Sequence, residues 1–201
     1  MSTAREDLLA AGLAVFDRDG FEGATVAAIR TRARASNGSF FHFFGSKKEL
    51  AGTLFLEILA RYHAAIIAAI DESCGAQEGV ARLIRAHLEW VVSSRREARY
   101  LFEISRSEWT EEVRGAQRAQ NSRLAEAVER WRAPLVARGE LLPMTSSVFF
   151  SQIIGPAQIF CRAFLSGRDR ADPREQAEIL IACAVRAVAA HEAIQKPGES
   201  A

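Results

Sequence analysis

The sequence is short of the residues that punctuate and staple a chain. Its 201 residues hold 13 glycines, 5 prolines and 3 cysteines. Cys74, Cys161 and Cys183 are odd in number, far apart and never part of a Cys-x-x-Cys pair. That disfavours both a disulfide framework and a zinc site, and fits buried thiols in a reducing compartment. An excess of either charge is missing too: 26 Lys and Arg stand against 25 Asp and Glu, so the total gives no support to a polyanion binder. The sum is a blunt measure, because binding answers to local fields. No uninterrupted apolar run of about 18 residues occurs. The greasiest stretches are broken by Ser151, Gln152, Gly155 and Pro156, and by Arg186. The start, MSTARED, has no basic segment leading into an apolar one, as a secretory leader would. The expectation is a cytoplasmic protein with no membrane partner.

Catalytic signatures are also missing. There is no Glu-x-x-His pair for a di-iron bundle and no HExxH, GxSxG, GxGxxG or P-loop pattern. His87 and Glu89 have the His-x-Glu spacing of zinc deaminases, but no Pro-Cys-x-x-Cys follows. No enzyme is expected, and no cofactor or metal is called for.

What is present is an apolar half, 49% of the chain, rich in Ala and Leu and repeating at helical spacing. The fold class read from it is all-α, with about nine helices. Thr3 and Glu6 have capping-box spacing for a helix over about 4–19, which Gly20 and Phe21 end. Thr25 caps a short helix to Ala33 and Ser36 another to about Phe41 or His42. Ser46 and Glu49 form a second capping box, opening a long helix to about Ala69. Further helices are predicted around 78–94, 97–106 and 109–137, the last stopped by Gly139. Another runs from Thr145 or Ser146 to about Ser166, bent by Pro156. A final one, started by Asp172, Pro173 and Glu175, reaches about Ile194, and the tail from Lys196 frays.

The two short helices carry the asymmetry that the totals hide. Between Thr25 and Lys48 stand Arg30, Arg32, Arg34, Lys47 and Lys48, with no Asp or Glu. Interleaved are Ser36, Asn37, Gly38, Ser39 and His42, small or hydrogen-bonding groups. Phe40 and Phe44, four apart, read as core. Such an arrangement suits a helix-turn-helix whose second helix enters the major groove. Lys47 in a first helical turn opposes the helix dipole, an unfavourable choice that a functional site tolerates.

The run GFEGATVAAIRTRARASNGSFFHFFGSKKEL resembles, without gaps, the signature of the tetracycline repressor (TetR) family of transcriptional regulators. The resemblance is carried by Gly20, Phe21, Thr25, Val26, Ile29, Ala33, Ser36, Gly38, Phe40, Phe44, Ser46, Lys47 and Leu50. It implies a helix-turn-helix DNA-binding domain at 1–48 and an effector-binding and dimerisation domain at 49–201. By position, Thr25, Ser36, Phe41 and Lys47 lie near phosphates, Asn37, Ser39 and His42 read bases, and Gly38 admits close approach. Three residues depart from the pattern: Phe41 lacks the usual tyrosine hydroxyl, Phe43 replaces His or Tyr, and Arg34 replaces the turn glycine. Either that turn differs or Arg34 gains a phosphate contact.

In the body, the last helix is apolar on almost every face except at Arg186. With the helix at about 145–166, the resemblance makes it half of an intersubunit four-helix bundle, so the partners implied are a second copy, a double-stranded operator and a small effector. A family pocket among helices 4 to 8 makes Tyr62, Trp90, Phe102, Phe149 and Phe160 its candidate lining, for an apolar or aromatic molecule. Trp109 belongs to the same aromatic set, and His63, His87 and Arg162 are the polar candidates. The implied function is a ligand-responsive regulator, a repressor released by its effector. The alternative is a helical protein- or ligand-binding module whose helix-turn-helix has degenerated.

Overall fold

The computed structural model describes residues 3–104 and 111–190. Its first helix begins as its sequence dictates. Thr3 Oγ1 accepts from the Glu6 N–H at 3.2 Å, and the Glu6 carboxylate accepts from the Thr3 N–H at 2.9 Å. Helix α1 covers Ala4–Gly23 but is broken at Gly20, whose φ of 70° only glycine adopts without strain. Thr25 and Ser36 cap α2 (Val26–Ala33) and α3 (Asn37–Phe43) through the Ala28 and Ser39 N–H groups. Then follow α4 (Lys47–Ala68), α5 (Ala76–Ser93), α6 (Arg95–Ile104), α7 (Glu111–Ala137), α8 (Ser146–Leu165) and α9 (Ala177–Val188). Among the described residues these nine α-helices are joined by one short 3-10 turn and no strand. Trp109 and the tail from Lys196 lie outside the described residues.

Several local expectations are corrected. Ser46 Oγ accepts from the Glu49 N–H at 3.1 Å, but the Glu49 carboxylate accepts from Gly45 rather than from Ser46. The missing Cβ of Gly45 permits this, since one there would sit 2.9 Å from that carboxylate. Asp172 caps a 3-10 turn, Pro173–Gln176, by accepting from the Arg174 N–H at 2.9 Å, and the Glu175 carboxylate takes no reciprocal part. Helix α9 stops at Val188, short of Ile194. Ala189 is extended, and the α7–α8 loop pairs with the chain there: Leu142 N–H donates to the Val188 carbonyl at 2.9 Å and Ala190 N–H to the Glu140 carbonyl at 3.1 Å. The stop at Gly139 is as read, with φ +72° and the Glu140 N–H closing onto the Leu135 carbonyl at 2.9 Å. Helix α8 runs through the outward-facing Pro156 as one element.

Helices α1, α2 and α3 form a head around Leu8, Val15, Ile29, Phe40 and Phe44. Helix α4 leaves it to pack on α7 and α5, while α8 and α9 pack on each other and on α5. Helix α6 lies between head and body, against α1, α4 and α5. One apolar core runs through all of them, each large side chain contributing about 1.5–3 kcal/mol of burial. At its centre Trp131 donates its indole N–H to the Cys74 carbonyl and lies flush on Gly79, where a Cβ would come within 2.0 Å of the ring. The membrane expectation is adjusted too: α4 and α8 are long and apolar enough to span a bilayer, with mean hydropathy 1.4 over 18 residues. More than half of that window in α4 is buried inside the protein, as a core helix requires.

Candidate nucleic-acid interface and ligand cavity

Helix α3 turns Phe40 and Phe44 into the core and leaves Asn37, Gly38, Phe41 and His42 exposed, with Ser39 half-buried. The spacing 37, 38, 41, 42 is one face of a helix. On it Phe41 is 51% exposed, its ring edge against Phe40. A Cβ on Gly38 would meet only Ser36 Oγ, at 3.9 Å. Nothing inside the protein asks for glycine there, although glycine in a helix costs about 1 kcal/mol against alanine.

Helix α2 ends on Arg34, the one non-glycine residue with positive φ among the described residues (φ 55°, ψ 33°). Its N–H and that of Ala35 close back onto the Thr31 and Arg30 carbonyls at 3.3 and 3.0 Å. Of the two possibilities left by the sequence, the turn is therefore the usual left-handed one, held without glycine at a cost of about 1–2 kcal/mol. Arg34→Gly is expected to raise the free energy of unfolding by about 1 kcal/mol in urea denaturation while weakening duplex binding. A variant no more stable than the parent would contradict the strain. Arg30 finds its way outward by donating to Asn37 Oδ1 at 2.9 Å, pinning α2 to α3 and leaving the Asn37 amide N–H groups free for other acceptors.

Lys47 departs from the role implied for it. Its ammonium donates to the carbonyls of Phe21 (2.7 Å), Ala24 (2.9 Å) and Glu22 (3.4 Å) and sits 4.6 Å from the Phe21 ring centre. All three N–H donors are thus turned inward onto the end of α1, not outward to a phosphate. Those carbonyls compensate the unfavourable charge in the first turn of α4. The exposed cations of the head are instead Arg32, Arg34 and Lys48, which make no ion pair among the described residues.

In the body the structure brings together three of the five aromatic candidates. Tyr62, Trp90 and Phe102 cluster, with Tyr62 and Trp90 ring centres 4.8 Å apart and the Tyr62 hydroxyl 2.9 Å from His87 Nδ1. Phe149 is buried elsewhere, against Trp131 and Arg132, and Phe160 is 38% exposed on the outer side of α8. Arg162 is exposed, while His63 and His87 are buried, with one ring nitrogen of each lacking a partner. A cavity of about 580 Å³ opens between α7 and α8 over Tyr62 and Ile66 of α4. Of the candidate lining only Tyr62 reaches it. It exists because α7 packs chiefly on α4 and α8 chiefly on α5 and α9, so the two walls meet sparsely. The sequence reading missed the polar character of those walls, visible in Asn121 and Ser122, and in Ser147, Ser151 and Gln158 along one stripe of α8.

Also missed is α6. Arg96 and Arg99 hold Asp17 of α1 at 3.2 and 3.0 Å, Tyr100 stacks on Phe16 and donates to the Ala51 carbonyl at 2.8 Å, and Arg95 donates to the Phe164 carbonyl at the end of α8. A further surface lies outside: Val148, Ile159 and Phe160 of α8 and Ile179 of α9 are exposed apolar side chains on neighbouring helices.

The fold is thus a helix-turn-helix head with a basic outer face on a helical body that carries an open cavity between α7 and α8. Residues 8–54, about a quarter of the chain, match the family model of bacterial regulatory proteins, tetR family. No curated protein matches. Among solved structures, a TetR family transcription regulator from Marinobacter aquaeolei VT8 is 19% identical, with TM-score 0.76 over 94% of this chain and 96% of that one. A tetR-family bacterial regulatory protein from Rhodococcus RHA1 is 23% identical, with TM-score 0.72 over 96% and 100%. The fatty acid degradation regulator FadR from Bacillus halodurans is 14% identical, with TM-score 0.76 over 92% and 96%. Residues 8–54 are a tetR-family helix-turn-helix domain, and the chain as a whole has the fold of transcription regulators of that family.

Proposed function

We propose that this protein is a cytoplasmic, ligand-responsive transcriptional repressor. As a homodimer it reads a near-palindromic operator through residues 1–48, and a small molecule bound in the body at 49–201 releases it. The observation that carries this reading is the outward face of α3: an exposed Gly38 that the fold does not require, among Asn37, Ser39 and His42 and flanked by the unpaired Arg32, Arg34 and Lys48. A backbone that must approach a base edge or phosphate explains that glycine. Thr25 and Ser36, both exposed, are the further phosphate candidates, and their hydroxyls cap α2 and α3. Dimerisation through α8 and α9 supplies the second head and covers Val148, Ile159, Phe160 and Ile179. The cavity accounts for the ligand, whose binding shifts the population toward a body conformation in which the heads no longer match the half-site spacing. The route to the head is α4 together with α6.

Selection from a pool of random duplexes is the direct test. The expected result is one enriched near-palindrome, bound with a steep inverse dependence on salt. A pool with no enriched motif would overturn the reading. The phenylalanine at 41, which offers no hydroxyl to a phosphate, would then favour a binding module with a degenerate helix-turn-helix.

A further inference from the structure

The walls of the cavity select a chemistry. Among the described residues that line it, none is Asp, Glu, Lys, Arg or His. Its floor carries Ile66 and Tyr62, and the Tyr62 hydroxyl is engaged by His87 Nδ1 at 2.9 Å. Its walls carry neutral hydrogen-bonding groups. Asn121 and Ser122 of α7 and Gln158 of α8 have side chains with no hydrogen bond among the described residues. Ser151 Oγ donates to the Ser147 carbonyl at 2.8 Å, which leaves its lone pairs to accept. Behind the lining, Glu129 accepts from Ser146 Oγ at 3.4 Å and is itself held by Arg132 at 2.7 and 2.9 Å. An ionised guest would give up hydration and find no counter-charge, whereas a neutral one could exchange water for the amides and hydroxyls.

We propose that the cavity between α4, α7 and α8 takes an uncharged amphipathic molecule. Its flat apolar body lies over Tyr62 and Ile66, and its amide or hydroxyl groups face Asn121, Ser122, Ser151 and Gln158. A space of about 580 Å³ suits a guest of drug-like size. The inference rests on the regulator reading only in naming that molecule an effector; the selectivity stands on the lining alone.

Three probes with one ring system separate the possibilities: 1-naphthamide, 1-naphthoate and 1-naphthylmethylammonium, each titrated calorimetrically into the full chain. Naphthamide is expected to bind at least tenfold more tightly than either ion. Ala125→Phe on the α7 wall and Gly155→Leu on the α8 wall, each with parental helical circular dichroism, are expected to abolish its binding. A Cβ at Gly155 meets nothing within 4 Å, so this second variant fills space without forcing the backbone. Equal or tighter binding of an ion overturns the proposal. So does binding that survives in both folded variants, or the absence of binding by all three probes. Duplex selection run on the same preparation keeps the readings apart: an enriched operator with failed probes removes the ligand class alone, and bound naphthamide without an operator removes the regulator alone.

Discussion

Replacing Arg32, Arg34 and Lys48 together with alanine is expected to weaken operator binding by about two orders of magnitude near physiological salt and to lower the slope of log K against log salt by up to about three. The magnitude follows from counterion release, in which each phosphate neutralised adds about 0.9 to the slope. These are the exposed cations of the head with no internal partner, so their removal takes away field without removing structure. Lys47 does not belong with them. Its ammonium closes three carbonyls at the end of α1, and its loss would disturb the head itself. Binding at several salt concentrations, measured by fluorescence anisotropy, checks the expectation. A triple variant with the parental slope would place the contact on another face.

Acid should destabilise the protein well before its carboxylates titrate. Burial pushes the imidazoles of His63 and His87 from the ordinary 6.5 down to about 4, against a smaller opposing hydrogen bond to the Gln120 backbone at His63. His87 is fully buried, next to Tyr62 and Phe102, so a proton arriving there finds no carboxylate. In the unfolded chain both rings take up protons near 6.5. Between about pH 6.5 and 4 the unfolded state therefore binds more protons, and stability falls as pH is lowered through that window. The full contribution is present above 6.5. The slope approaches about 1.4 kcal/mol per pH unit for each histidine, hence just under 3 for the pair. Urea midpoints measured from pH 7.5 to 4.5 read it, and His87→Gln should halve the slope. A flat profile would mean that both rings reach water in the folded state.

The features legible in the sequence were those whose partners lie within a turn or two. Thr3, Thr25, Ser36 and Thr145 cap the helices that follow them because a cap needs only the N–H groups two or three residues on. Gly20 and Gly139 end helices by their own dihedral freedom. The head was legible as a unit because its charge window and its resemblance coincide, and the family match over residues 8–54 agrees. Lys47 was not, because the carbonyls it binds lie more than twenty residues away. Among the aromatic candidates, Phe149 and Phe160 of α8 part company for a reason of helix phase. Phe149 and Phe160 share a face by simple periodicity, yet the buried stripe of α8 steps by four, through Phe149, Ile153, Ala157, Cys161 and Leu165. Each such step drifts by about 40°, so the stripe winds away and leaves Phe160 outside. No composition count reveals which way a stripe drifts; the crossing of α8 over α5 and α9 decides it.

Helix α4 is both the floor of the cavity and the anchor of the head, and this gives it leverage. From Tyr62 to Lys47 is about four turns of unbroken helix, or about 22 Å. A tilt of about 5° at the cavity end would carry the Lys47 end sideways by about 2 Å. A hydrogen bond to a base edge tolerates about 0.5 Å. On the proposed regulator reading, the head would need no unfolding and no change of its own shape to lose its register on DNA. On that reading a guest that tilts α4 by this much would supply motion enough, and in a two-fold pair the two displacements would act on a single spacing.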